Sequence, residues 1–119
     1  MKYLLLIYDN EATWANTSEA DQGKIFQEYM TYTSGIRKSG NYVAGEALEP
    51  VATATTVRVK NGKTLTTDGP FAEPREQLGG FYMVEAKNLD EAITLAAGIP
   101  TARTGSIEVR PIMPTPSPE

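Results

Sequence analysis

The groups best able to do chemistry concentrate in one segment, where Asp68-Gly69-Pro70-Phe71 is followed by Glu73, Arg75 and Glu76. A carboxylate set against Gly-Pro either caps nearby backbone N–H groups or projects into a pocket as a general base. Arg75 on the same segment can orient an anionic ligand, and Arg110, between Val109 and Pro111, can pair with Asp68 or Glu73 or stabilise developing negative charge. Tyr8 and Tyr82 lie in apolar runs and bring phenolic hydroxyls that can line a cleft.

The residue inventory narrows the chemistry further. The 119-residue chain has no His and no Cys, which removes His-dependent hydrolases, thiolate nucleophiles and zinc sites together. Any proton transfer must run on carboxylates, Tyr, Lys, Arg, Ser or Thr. The expected site therefore has Asp68 as base with Arg110 as its electrostatic partner, and Tyr8, Glu73, Arg75 and Tyr82 as ligand-binding groups. Glu46, Asp68, Glu73 and Glu76 are oxygen ligands in type but lack the spacing of a Mg²⁺ or Ca²⁺ loop. Neither a phosphate-cradling Gly loop nor a nucleophile elbow is present, so no metal and no cofactor is expected.

These residues must be positioned by a small number of elements. Lys2 to Tyr8 is an apolar run without alternation, the pattern of a strand covered on both faces, and it gives way to a loop holding Trp14. Ser18, with Asp21 three residues on, caps a helix over about residues 18 to 38, its apolar stripe carried by Ile25, Phe26, Tyr29, Met30 and Ile36. Gly40 stands where a left-handed residue should end it. Asn41 to Leu48 reads as a strand, Thr53 to Lys60 and Lys63 to Thr67 as a hairpin turned by Asn61-Gly62, and Asp68 to Leu78 as a loop. Gly80 to Glu85 is a further strand, and the pair Gly79-Gly80 signals a bulge or a close backbone approach at its start. Asn88 caps a second helix that Gly98 and Pro100 stop, and Ser106 to Ile112 is the last strand.

The order is β-α-β, hairpin, β-α-β: an α+β domain on the ferredoxin-like split βαβ plan, with both helices on one face of an antiparallel sheet. One domain over residues 1–112 is expected, followed by a proline-rich tail over 113–119. Neighbouring residues of Leu4-Leu5-Leu6-Ile7 and of Phe81-Tyr82-Met83-Val84 point to opposite faces, so the face without helices is also apolar. A second copy of the same sheet is the economical cover, which makes a two-fold homodimer the expected partner state.

Lys+Arg number 11 against Asp+Glu 15, a net charge of −4. No broad cationic surface is available, so nucleic acid and anionic membranes are not expected partners, and a small-molecule ligand is. The apolar run after Lys2 breaks at Asp9-Asn10-Glu11, too soon for export or for a membrane span, and the chain is expected to be cytoplasmic.

Met1-Lys2-Tyr3-Leu4-Leu5-Leu6-Ile7-Tyr8, Gly45-Glu46-Ala47-Leu48, the run from Asp68-Gly69-Pro70-Phe71 through Gly79-Gly80-Phe81-Tyr82, Leu89-Asp90-Glu91-Ala92 and Ile107-Glu108-Val109-Arg110-Pro111 together resemble the YCII-related proteins, and among them the DGPF subfamily. The resemblance implies a dimeric α+β barrel of ferredoxin-like subunits. It also implies an enzyme-like site in which a His near the first helix pairs with an Asp on the loop before a central strand. One branch resembles dehydrochlorinases acting on chlorinated hydroxyquinols, and the wider superfamily includes lactone isomerases and monooxygenases. Asp68 stands where that Asp is expected, but the stretch Thr17 to Phe26 offers no His. The resemblance thus leaves two readings. One is a dimer that binds a small polar or aromatic metabolite near the Asp68 loop, with cofactor-independent carboxylate acid/base chemistry (elimination or isomerisation). The other is a non-catalytic regulatory or protein-binding dimer, because relatives are often encoded beside extracytoplasmic-function sigma factors.

Overall fold

The computed structural model describes residues 1–116. It contains β1 (Lys2–Asp9), α1 (Glu11–Ala15), α2 (Glu19–Lys38), β2 (Tyr42–Ala47), β3 (Thr55–Lys60), β4 (Lys63–Asp68), β5 (Gln77–Glu85), α3 (Leu89–Ala97) and β6 (Ser106–Pro111), with single 3₁₀ turns at Val51–Thr53 and Pro100–Arg103. Residues 113–116 of the expected tail have no regular structure, and 117–119 lie outside the described residues.

Four strands form one sheet in the order β2-β5-β1-β6, every neighbouring pair antiparallel. This order, with a helical crossover from β1 to β2 and another from β5 to β6, is that of a ferredoxin-like α+β fold. Both long helices are capped as the residue types require. Ser18 accepts from the Asp21 N–H at the start of α2, and Asn88 accepts from the Glu91 N–H at the start of α3. Gly40 takes φ +82 just beyond α2, a conformation a Cβ would strain.

The core lies between the helices and one sheet face. Tyr3, Leu5 and Ile7 of β1, Tyr82 and Val84 of β5, Ile36 of α2, Ala92 and Ala96 of α3, and Ile99 are buried there, with Ile107 and Val109 of β6 packed against them. Three tyrosines enter this layer with their hydroxyls satisfied. Tyr82 and Thr33 share a hydrogen bond of 2.6 Å, the Tyr32 hydroxyl donates to the Leu95 carbonyl at 2.7 Å, and Tyr29 bonds Thr101 at 2.5 Å. Burial pushes all three phenols above their usual pKa, because the interior disfavours a phenolate.

Several sequence expectations need correction here. The segment after β1 is not simply a loop: Asn10 accepts from the Ala12 N–H and nucleates the one-turn-and-a-half α1, which carries Trp14. Strand β5 starts at Gln77, three residues earlier than its apolar run suggests. Phe26 and Met30 share the apolar side of α2 in sequence but remain 58% and 65% exposed, because the stripe of α2 that meets the core runs through Tyr29, Tyr32, Thr33 and Ile36 and leaves these two to one side. Trp14 meets Phe26 edge-on, with ring centroids 5.4 Å apart.

Gly79 and Gly80 serve both purposes anticipated for them. Ile7 faces Gly80 while Tyr8 faces Leu78, which leaves Gly79 as the extra residue of a β-bulge. A Cβ on Gly80 would lie 2.8 Å from the Glu46 carbonyl oxygen of β2, so only glycine allows the strands this approach. The second sheet, β3-β4, is the hairpin turned by Asn61 (φ 51) and Gly62 (φ 76), both left-handed as a type I′ turn demands.

Candidate functional site

Strand parity divides the expected site residues between the two sheet faces. Leu5 pairs with Tyr82 and with Val109, which sets Tyr82 on the helix-covered face. Tyr8, Leu4 and Leu6 have the opposite parity and share the open face with Phe81 and Met83 of β5 and with Ser106, Glu108 and Arg110 of β6. Tyr82 and Tyr8 therefore do not line one cleft. The Tyr82 hydroxyl is committed to Thr33, and its role is to join sheet and helix.

An open groove of about 530 Å³ lies at the end of this face, lined by Tyr8, Pro74, Arg75, Glu76, Ser106, Ile107 and Glu108. The residues that build it come from three places. The bulge at Gly79 turns the end of β5 so that the 69–76 loop crosses beside the last residues of β1 and the first of β6. Gln77 then fixes the loop: its side-chain amide donates to the carbonyls of Pro74 at 2.7 Å and Arg75 at 3.3 Å, and its oxygen accepts from the Glu11 N–H at 2.9 Å. Ser106 donates to the Glu76 carboxylate at 3.1 Å and ties the other wall. The Glu11 carboxylate in turn accepts from the Val51 N–H at 3.0 Å, so α1, unrecognised in the sequence, braces the loops around the groove.

Of the residues expected from sequence, the structure brings Tyr8 and Arg75 together in this groove. Among the described residues Arg75 has no ion-pair partner and the Tyr8 hydroxyl no hydrogen-bond partner, so both are free to engage a ligand. Glu108 and Ser106 are the groups that sequence reasoning missed. The alternation of Ser106, Glu108 and Arg110 with Ile107 and Val109 was the available signal, since it puts these polar side chains on the face away from the core.

Arg110 sits two residues along β6 from Glu108, opposite Leu4, is exposed, and makes no salt bridge with Asp68 or Glu73. A solvated guanidinium needs no partner, which is why the expected pairing does not form. Glu73 lies exposed on the loop outside the groove lining. Asp68 is exposed at the end of β4, paired through its backbone with Thr55 on the hairpin. Its carboxylate accepts no hydrogen bond among the described residues; the turn is held instead by the Gly69 N–H to the Ala54 carbonyl at 2.7 Å and by Thr56 to the Gly69 carbonyl at 3.0 Å. Gly69 itself takes φ +95.

A second open groove, about 610 Å³, lies between α2 and the segment after α3, lined by Lys24, Gln27, Glu28, Thr31, Tyr32, Gly98 and Pro100. It is the larger of the two but holds none of the residues that sequence reasoning singled out. Among the described residues no three acidic side chains gather as metal ligands, and no helix is long and apolar enough to cross a membrane.

Sheet order, helix placement and the bulge-shaped groove define a ferredoxin-like α+β domain with a polar recess at the end of its open sheet face. The chain belongs to the YCII-related family, whose domain it matches over residues 1–116. A relative from Rhizobium meliloti, an uncharacterised protein, is 34% identical over 114 residues, which covers 94% of this chain and 92% of the relative.

Proposed function

We propose that the protein is a homodimer that binds a small, negatively charged polar or aromatic metabolite in the groove between the 69–76 loop and β6, one groove per subunit. The observation that carries this is the convergence of Tyr8 and Arg75, whose hydroxyl and guanidinium have no hydrogen-bond or ion-pair partner among the described residues, on one recess. A guanidinium in a fork geometry suits a carboxylate or similar anion, while the phenol offers a ring face and a hydroxyl. Glu108 on the far wall accepts a hydrogen bond from a ligand hydroxyl or amine, or takes a proton from it. Leu4, Leu6, Phe81 and Met83 lie just beyond on the half-buried open face, and a second copy packed sheet to sheet gives them cover.

Elimination or isomerisation in this site would run with a carboxylate as base and Arg75 or Tyr8 stabilising the developing anion. Glu108 is better placed than Asp68 of the same chain for that role. A thermal-shift screen of organic acids, including aromatic and lactone acids, tests the reading. The expected result is a compound that raises Tm for the native chain and not for Arg75→Ala. A stabilising compound whose effect survives both Arg75→Ala and Tyr8→Phe would place the ligand elsewhere.

A further inference from the structure

The four-stranded sheet ends in two unlike edges. On one side β2 is interrupted, its register against β5 shifting between Tyr42 and Ala44. On the other side β6 pairs with β1 without a break from Ser106 to Pro111, and no strand of the chain lies along its outer side. The Ile112 N–H donates to the Lys2 carbonyl at 2.9 Å. Because antiparallel ladders alternate, Arg110 and Glu108 also direct their backbone groups at β1. The N–H and C=O groups of Ile107 and Val109 and the C=O of Pro111 therefore point outward, with no partner among the described residues. A regular edge of this kind is a template for another strand.

The side chains of β6 indicate which strand fits. Glu108 and Arg110 stand two residues apart on the open face, both exposed and neither in an ion pair among the described residues. A second β6 laid antiparallel, with Val109 opposite Val109 of the partner subunit, gives each an opposite charge. Glu108 then faces Arg110 of the partner subunit, and Arg110 faces Glu108 of the partner subunit. In that register the two outward-pointing valines are a hydrogen-bonded pair with Cα atoms about 5.5 Å apart, and the charged residues are the closer non-hydrogen-bonded pairs at about 4.5 Å. Each Ile107 N–H can also donate to the carbonyl of Pro111 of the partner subunit, so the missing N–H of proline removes no donor that this bond needs. Neighbouring registers fail. Centring on Glu108 or on Arg110 sets like charges against each other and presents backbone groups that β1 already holds, while centring on Ile107 leaves Arg110 opposite Thr104.

We propose that β6 is the seam between two copies of the chain, paired antiparallel about Val109, and that it brings Arg110 of the partner subunit to the rim of the Tyr8–Arg75 groove beside Glu108. This rests on the homodimer reading and adds a group to its site. Within one chain the groove lining holds one cation, Arg75, against two carboxylates, Glu76 and Glu108. A second guanidinium at the rim balances that charge and leaves Arg75 to bind an anion. Arg110 is thus an electrostatic partner of the groove in trans, although it pairs with nothing in its own chain. The two open faces lie on the same side of the joined sheet, and curling about the seam turns them toward each other.

A charge swap tests the register. Glu108→Arg alone and Arg110→Glu alone each put like charges opposite one another at two places in the seam, and each is expected to weaken self-association about tenfold in sedimentation equilibrium. The double variant Glu108→Arg, Arg110→Glu is expected to recover most of that loss. Both positions are exposed, so the fold tolerates all three variants. In the native chain, the Ile107 and Val109 amides are expected to exchange with solvent about tenfold more slowly at concentrations where the dimer forms than where the monomer dominates. A dimer whose affinity ignores both single reversals, or whose Val109 amide exchanges as fast as in the monomer, overturns the seam and leaves the homodimer reading standing. Single reversals that the double variant fails to rescue overturn the register as well. A monomer at every concentration tested overturns both the seam and the homodimer.

Discussion

Tyr8 and Tyr82 are both strand tyrosines with free-standing sequence contexts, yet the structure assigns them opposite duties, and the replacement of each by Phe separates the two. In Tyr82→Phe the ring still packs at the centre of the sheet, edge-on to Tyr32 at 5.3 Å, so no cavity opens and only the 2.6 Å bond to Thr33 is lost. A hydrogen bond contributes about 1 kcal/mol net, and the partner hydroxyl left in a half-buried position adds about as much again. The expected loss is therefore about 1–2 kcal/mol, or roughly 4–8 °C in Tm for a domain of this size. Urea unfolding of Tyr82→Phe, Thr33→Val and the double variant gives the coupling, expected at about 1 kcal/mol. Tyr8→Phe, on the open face with no hydrogen-bond partner among the described residues, should change stability by less than about 0.5 kcal/mol and weaken the response to any ligand found by screening. A Tyr82→Phe variant with native stability and lost ligand response would refute the division of the two residues between faces.

Three other outcomes follow from the same geometry. Gly80→Ala places a methyl 2.8 Å from the Glu46 carbonyl oxygen, where backbone must move, and is expected to cost about 1–3 kcal/mol by chemical denaturation. Asn88→Ala removes the side chain that accepts from the Glu91 N–H and should cost about 1 kcal/mol, with Asn88→Asp restoring most of it. Stability should also fall in alkali: Tyr29, Tyr32 and Tyr82 have pKa values raised by burial, so above pH of about 10 the unfolded chain loses phenolic protons that the folded chain keeps. Their contribution is complete below the unfolded pKa and is lost as pH rises through the folded values, with a slope of up to about 1.4 kcal/mol per pH unit for each tyrosine, read from unfolding titrations between pH 9 and 11.5.

How far the sequence discloses this arrangement depends on whether the information is local. Helix caps at Ser18 and Asn88, the left-handed Gly40 and the Asn61-Gly62 turn are set by residues within a few positions of one another, and each stands where local chemistry puts it. Short polar elements carry less signal: α1 rests on one Asn10 cap and five residues without apolar period, and the start of β5 is Gln77-Leu78-Gly79 rather than an apolar run. The site was legible only by half because it depends on register. Alternation along β1 fixes that Tyr8 and Leu5 point opposite ways, but only the pairing of Leu5 with Tyr82, and the residue added by the bulge, decides which residues of β5 join them. Arg75 reaches the groove through the contacts of Gln77, which no spacing rule anticipates.

The central claim is that ligand is held between the 69–76 loop and β6, and amide chemical-shift mapping tests it most directly. A compound selected by thermal shift, titrated into ¹⁵N-labelled protein, is predicted to move the amides of Tyr8, Arg75, Glu76 and Ser106 to Glu108 in a saturable way, and to leave those of Lys24 to Tyr32 and Gly98 in place. Saturable shifts confined to the groove between α2 and Pro100 would contradict the account.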